Sequence, residues 1–189
     1  MTARLFERAS QVDAALSETG LRYCFIGGIA VQRWGEPRST QDLDLTVLAV
    51  FGGEGPVVDT LLGLYEPRIR DARAFALRHR VLLLRAEDTP IDIALGAMPF
   101  EEAAVSRATR FEVAPGIAFR TCGPSELIVH KAFAARDQDW IDVRGILVRS
   151  GALIDWDFVI SEREMLVALK EDTTTLPRLR ELRRTVSAE

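Results

Sequence analysis

Apolar residues return at helical spacing near the start of the chain. Leu5, Phe6, Ala9, Val12, Ala15 and Leu16 follow a 3.6-residue period, and Gly20 comes next as a helix stop. Residues 22–26 (RYCFI) are short, aromatic and apolar, which reads as a buried strand. Gly27-Gly28 ends that strand, and 29–34 form a short helix. The run from Gly35 to Thr40 has turn chemistry. Asp42 to Leu48 (DLDLTVL) then alternates polar and apolar, the pattern of a strand with one buried face.

Further along, GGEGP (52–56) is a loop and 57–64 a helix. Two apolar runs, 81–85 and 91–95, flank Glu87-Asp88-Thr89-Pro90 as a hairpin. A short helix is predicted over 99–107, and strands 111–113 and 117–120 flank the turn Ala114-Pro115-Gly116. After Thr121 the pattern is helical throughout: 124–135, 140–149 with Gly151 as its stop, 158–169 and 176–184. No element is assigned between Leu64 and Val81. The fold class is α+β: a small mixed sheet flanked by helices over residues 1–120, then a C-terminal helical region, 121–189, packing against it.

The length of 189 residues suits one domain or one with a small appendage. Cations number 24 and carboxylates 28, so no global basic field exists to hold a long nucleic acid. A small or locally gripped anionic substrate stays open. Two cysteines make no disulfide framework, and Cys24 lies in an apolar run where a buried reduced thiol is expected. The first eleven residues carry Arg4, Glu7 and Arg8, which is no signal peptide, and no stretch approaches the ~20 apolar residues that span a bilayer. The expected compartment is the cytoplasm, with no membrane partner.

Asp42 and Asp44 are two apart on a predicted strand, so both project from one face, with Cα atoms about 6.5–7 Å apart. That spacing lets two carboxylates share a pair of divalent ions about 3.5–4 Å apart. A solvated strand face would read the same way. Gly27-Gly28 ends a strand and opens a helix, where bare backbone N–H groups admit phosphate oxygens; a tight turn that needs glycine is the alternative. Asp92, between Ile91 and Ile93, is a third carboxylate. If its strand lies beside the Asp42–Asp44 strand, three carboxylates converge and a cation is the natural compensation.

The ordered set is more specific than its parts. Ile26-Gly27-Gly28, thirteen residues (29–41), Asp42-Leu43-Asp44-Leu45 and a later strand with Asp92 resemble the nucleotidyltransferase superfamily that includes DNA polymerase β. Arg38-Ser39-Thr40-Gln41-Asp42-Leu43-Asp44 is similar to the R-x-T-x-D-hydrophobic-D segment of the AbiEii-like minimal nucleotidyltransferases, related to bacterial abortive-infection and toxin–antitoxin systems. Pro124 to Lys131 and Arg136 to Asp142 are similar to that family's P-x-D-L-I-x-x-K helix and R-x-[K/Q]-D-hydrophobic-x-D motif. Glu126 stands where aspartate is common, and Gln138 where many relatives have lysine.

The resemblance implies a nucleotidyltransferase sheet and a metal-dependent transfer of NMP from an NTP to an acceptor hydroxyl. Asp42, Asp44 and Asp92 would be the catalytic carboxylates and would bind Mg²⁺ or Mn²⁺. Gly27, Gly28, Arg38, Thr40 and Lys131 would bind the nucleotide, Lys131 as a mobile point charge from the helical wall of an open groove. Asp139 and Asp142 would orient Lys131 or Arg136 by ion pairing, with capping or solvation as the alternatives. His130, beside Lys131, is expected on a different helix face and takes no role. The acceptor is open among RNA (tRNA included), protein and small molecule, and a cognate antitoxin is an implied partner. Arg178, Arg180, Arg183 and Arg184 read as a solvated helix face, with an RNA grip as the alternative. Two other readings compete: a non-catalytic nucleotidyltransferase-like domain that binds a nucleotide or partner, and a D-x-D glycosyltransferase. The 41 residues before Asp42 are few for the latter's nucleotide-binding half.

Overall fold

The computed structural model describes residues 2–170 and 174–187. Residues 171–173, 188 and 189 of the predicted helical region therefore lie outside the described residues. One mixed sheet organises the chain. In order come α1 (Thr2–Ser17), β1 (Tyr23–Phe25), α2 (Gly27–Trp34), β2 (Leu43–Leu48), α3 (Glu54–Leu64), β3 (Glu66–Pro67) and α4 (Ala72–His79). Next are β4 (Val81–Ala86), β5 (Thr89–Gly96), α5 (Pro99–Ser106), β6 (Thr109–Ala114) and β7 (Ile117–Thr121). Helices α6 (Pro124–Ala134), α7 (Asp137–Ser150), α8 (Trp156–Lys170) and α9 (Thr175–Ser187) complete it, with a short 3₁₀ turn after α7.

The strands run β3-β4-β5-β2-β1-β7-β6. β2 is central, antiparallel to β1 and parallel to β5, and the parallel register sets Asp44 directly beside Asp92. Alternation along β2 assigns its faces. Leu43, Leu45 and Val47 join Leu5, Ala9, Val12 and Leu16 of α1 and Ile91 and Ile93 of β5 in one core. The expected hairpin closes through Glu87-Asp88, with Glu87 in the left-handed region at φ 54°.

A second core gathers α2, α5, α6 and α7 around Cys24 and Cys122. Both thiols are free and buried, and burial pushes Cys24 up to about 12. α6 is an almost wholly buried helix, started by Pro124 and ended by Ala135 at φ 55°. Arg107 pairs at 3.1 Å with Glu126, which is 3% exposed. No described helix is long and apolar enough to cross a membrane. The sequence pattern missed β3 and α4, and the turn after β3 bears on the site.

Candidate active site

The site is built where β1 ends and β2 begins. Ile26 donates its backbone N–H to the Asp44 carbonyl at 2.9 Å, and the chain turns sharply into α2. Gly27 takes φ +60°, and a Cβ there would stand 2.0 Å from Asp44 Oδ2. Only glycine lets the turn sit against that carboxylate. Gly28 donates its N–H to Asp44 Oδ2 at 3.4 Å, and a Cβ on Gly28 would meet Thr40 Oγ1 at 2.5 Å. The Thr40 hydroxyl donates to Asp42 Oδ1 at 2.9 Å. Asp42 itself lies at a bend one residue before β2 rather than within the strand.

A cleft of about 470 Å³ opens here. Its walls bring together every residue the sequence singled out for the site: Gly27, Gly28, Arg38, Thr40, Asp42, Asp44, Asp92 and Lys131. The sheet supplies the carboxylates, and α6 with the start of α7 supplies the opposite wall. Burial pushes the Asp44 carboxyl up to about 6; the charge on Asp42 adds to this, the Gly28 N–H opposes it, and Asp92 raises it further. Asp92 is also raised, chiefly by burial and partly offset by Arg68. The sheet side of the cleft therefore carries more negative charge than it compensates.

The helical wall is different. Lys131, 5% exposed, is held by Asp139 Oδ1 at 3.0 Å and Asp142 Oδ2 at 2.8 Å. Arg38 grips Asp142 through two parallel bonds of 2.8 and 3.0 Å, and Gln138 adds a third at 3.0 Å. Arg136 donates to Asp139 from Nε at 2.7 Å and from its backbone N–H at 3.2 Å. Burial alone would raise both acids, but hydrogen bonds from Arg136 and Lys131 hold Asp139 below the usual range. Those from Arg38, Lys131 and Gln138 do the same for Asp142.

Lys131 is thus clamped, which corrects the expectation of a mobile charge. Two of its three N–H donors are committed, leaving one. Of the alternatives open for Asp139 and Asp142, both acids ion-pair, and Asp139 also caps the start of α7 through the Arg136 backbone N–H.

Two further residues bear on the site, one given no role by the sequence reading and one not marked by it at all. His130 also borders the cleft, its ring edge-on to Phe100 at 5.0 Å between centroids. Burial and the neighbouring Lys131 push its imidazole down to about 4, so the ring is neutral near pH 7. Helical geometry alone suggested a different face; the cleft is wide enough to take in both neighbours. Arg68, in the turn after β3, pairs with Asp92. No sequence signal marks it, because the contact exists only through the pairing of β3, β4 and β5.

The arginines of α9 lie on an exposed face, as expected, and make surface contacts there. Arg178 lies over the Trp140 ring and Arg183 over Trp156, while Arg180 pairs with Glu164 and Arg184 with Glu181. Among the described residues, no three acidic, histidine or cysteine side chains form a ready cage for a metal ion. Asp42 and Asp44 nevertheless fit one: a buried acid raised by its neighbour's charge is what a divalent cation relieves.

No protein-family model matches the chain, and no curated protein sequence does. Solved structures do match. The antibiotic-resistance factor ANT(2″)-Ia, in its solution structure, aligns with TM-score 0.59 at 18% identity, over 90% of this chain and 97% of that one. The same factor in complex with adenylyl-2″-tobramycin gives 0.54 at 18% identity, over 90% and 99%. An antigenic nucleotidyltransferase-like protein from Paracoccidioides brasiliensis gives 0.54 at 15% identity, over 93% and 92%. The fold is that of nucleotidyltransferases.

Proposed function

We propose that this protein is a metal-dependent nucleotidyltransferase that moves NMP from an NTP to an acceptor hydroxyl. The observation that carries the reading is the placement of Asp42, Asp44 and Asp92 beside the Gly27-Gly28 turn in one cleft. Asp42 and Asp44 would hold Mg²⁺ or Mn²⁺, and Asp92 would complete a second position. Such ions neutralise pyrophosphate charge and acidify an acceptor hydroxyl. The Gly27-Gly28 turn receives phosphate oxygens on its N–H groups at the start of α2. Asp92 accepts the acceptor's proton on a carboxylate oxygen. Arg38 and Lys131, fixed by Asp142, present positive charge to the phosphates, and Thr40 fixes Asp42. This division leaves the chain to supply position and electrostatics.

The resemblance of Arg38 to Asp44 to the R-x-T-x-D-hydrophobic-D segment of the AbiEii-like enzymes supports a toxin–antitoxin role, with a cognate antitoxin and an RNA or protein acceptor, as part of the proposal. A small-molecule hydroxyl is the alternative acceptor, supported by the adenylyl-2″-tobramycin held by the structural neighbour. The test incubates purified protein with each α-labelled NTP, Mg²⁺ and a cell extract, and fractionates the products. Label in RNA, protein or small molecules names the acceptor; none in any fraction leaves the non-catalytic binding module as the better reading.

A further inference from the structure

Three carboxylates face the cleft from the sheet side, and an arginine pairs directly with one of them. Arg68 Nη2 pairs with Asp92 Oδ1. The arginine is tethered: its backbone N–H donates to the Leu83 carbonyl at 2.9 Å, and Leu83 stands opposite Asp92 in the β4–β5 register. Neighbouring strands lie about 4.8 Å apart, so the Arg68 backbone sits roughly 10 Å from that of Asp92, two strand spacings away. Its side chain therefore reaches across β4 to the carboxylate. Both partners are partly open to solvent, with Arg68 31% and Asp92 38% exposed. An exchangeable ion pair at the cleft mouth results, not a buried structural one.

We propose that Arg68 is a tethered counter-ion that holds Asp92 and yields it when a divalent cation binds. The inference rests on the metal-dependent reading of Asp42, Asp44 and Asp92. It adds an order of loading: the Asp42–Asp44 position fills without competition, whereas the Asp92 position opens only when Arg68 is displaced. Arg68 is a positioning residue that sets metal affinity at Asp92.

The experiment titrates Mn²⁺ into the full chain without nucleotide and follows free Mn²⁺ by electron paramagnetic resonance. Arg68→Met and Arg68→Gln should each tighten binding about two- to five-fold, the worth of a partly exposed ion pair. Adding Asp92→Asn to either should abolish the gain. Arg85→Met removes a nearby cation that pairs with Glu66 instead, and should change nothing. Unchanged or weaker Mn²⁺ binding in both Arg68 variants would overturn the inference while leaving the metal reading intact. An equal gain in Arg85→Met would overturn it too, since loss of charge anywhere nearby would then suffice. Mn²⁺ binding insensitive to Asp44→Asn in every variant would overturn the metal reading along with it.

Discussion

Two clusters of carboxylates face each other across one cleft, and they are balanced in opposite ways. On the helical wall, Asp139 and Asp142 meet Lys131, Arg38 and Arg136, and both acids are held below their ordinary pKa. On the sheet side, Asp92 pairs with Arg68 and the charge of Lys131 lowers Asp44 only in part, so Asp44 and Asp92 both stay raised. The first cluster is complete as folded and serves to fix the wall. The second is under-compensated, which marks it as the part that awaits a ligand. Exposure runs the same way: Asp139 and Asp142 are almost wholly buried, whereas Asp92 keeps 38% of its side chain open to solvent.

The largest test of that division is Asp142→Ala. It strips Lys131 and Arg38 of a shared partner in a buried setting, and should cost about 3–5 kcal/mol of folding stability. Chemical denaturation reads the loss directly. A change below about 1 kcal/mol, the scale of a surface pair, would erase the contrast between the clusters.

Asp44→Asn should act in the opposite direction on the metal-free protein. The folded pKa of Asp44, about 6, stands above its ordinary 3.8, so the folded state retains a proton that the unfolded chain releases. Stability contributed by the protonated acid is complete below about pH 4 and is lost as pH rises to about 6, a cost on the order of 2–3 kcal/mol at neutral pH. Asp44→Asn removes that cost, so its melting temperature without metal should exceed wild type at pH 7 and converge with it near pH 4. Asp139 and Asp142, shifted downward, give the reverse dependence: their stabilisation is present above about pH 4 and fades on further acidification. Melting curves for wild type and Asp44→Asn between pH 4 and 7.5 check the sign.

Gln138→Lys is the smallest expected effect. The glutamine already donates to Asp142 at 3.0 Å, from an exposed position. A lysine there adds a third cation to an acid already satisfied, so stability should move by less than about 0.5 kcal/mol. A larger gain would show the helical cluster to be incomplete after all.

The same contrast runs through what the sequence made legible. Between Ile26 and Leu48, glycines at a forced turn and strict alternation along β2 displayed the fold and the site together, because each signal is local. Residues 66–80 displayed almost nothing. β3 is two exposed residues, and α4 buries only Ala72 and Ala76, too small a stripe to stand out among Arg70, Arg73 and Arg78. Arg68 lies between them, so its hold on Asp92 became visible only once β3, β4 and β5 were paired. The pairing of Lys131 with Asp139 and Asp142 stayed one alternative among several for a related reason. These acids lie eight and eleven residues along the chain, and only the angle between α6 and α7 makes both reach one ammonium.

Nucleotidyl transfer is the role proposed for the under-compensated carboxylates. The most direct measurement supplies NTP labelled at the α-phosphate or at the γ-phosphate, with Mg²⁺ and cell extract, to wild type and to Asp44→Asn. The account predicts that the α label moves to an acceptor with wild type, that the γ label does not, and that Asp44→Asn lowers transfer by about 10²–10³-fold or more. Transfer of the γ label, or α-label transfer undiminished in Asp44→Asn, would contradict it.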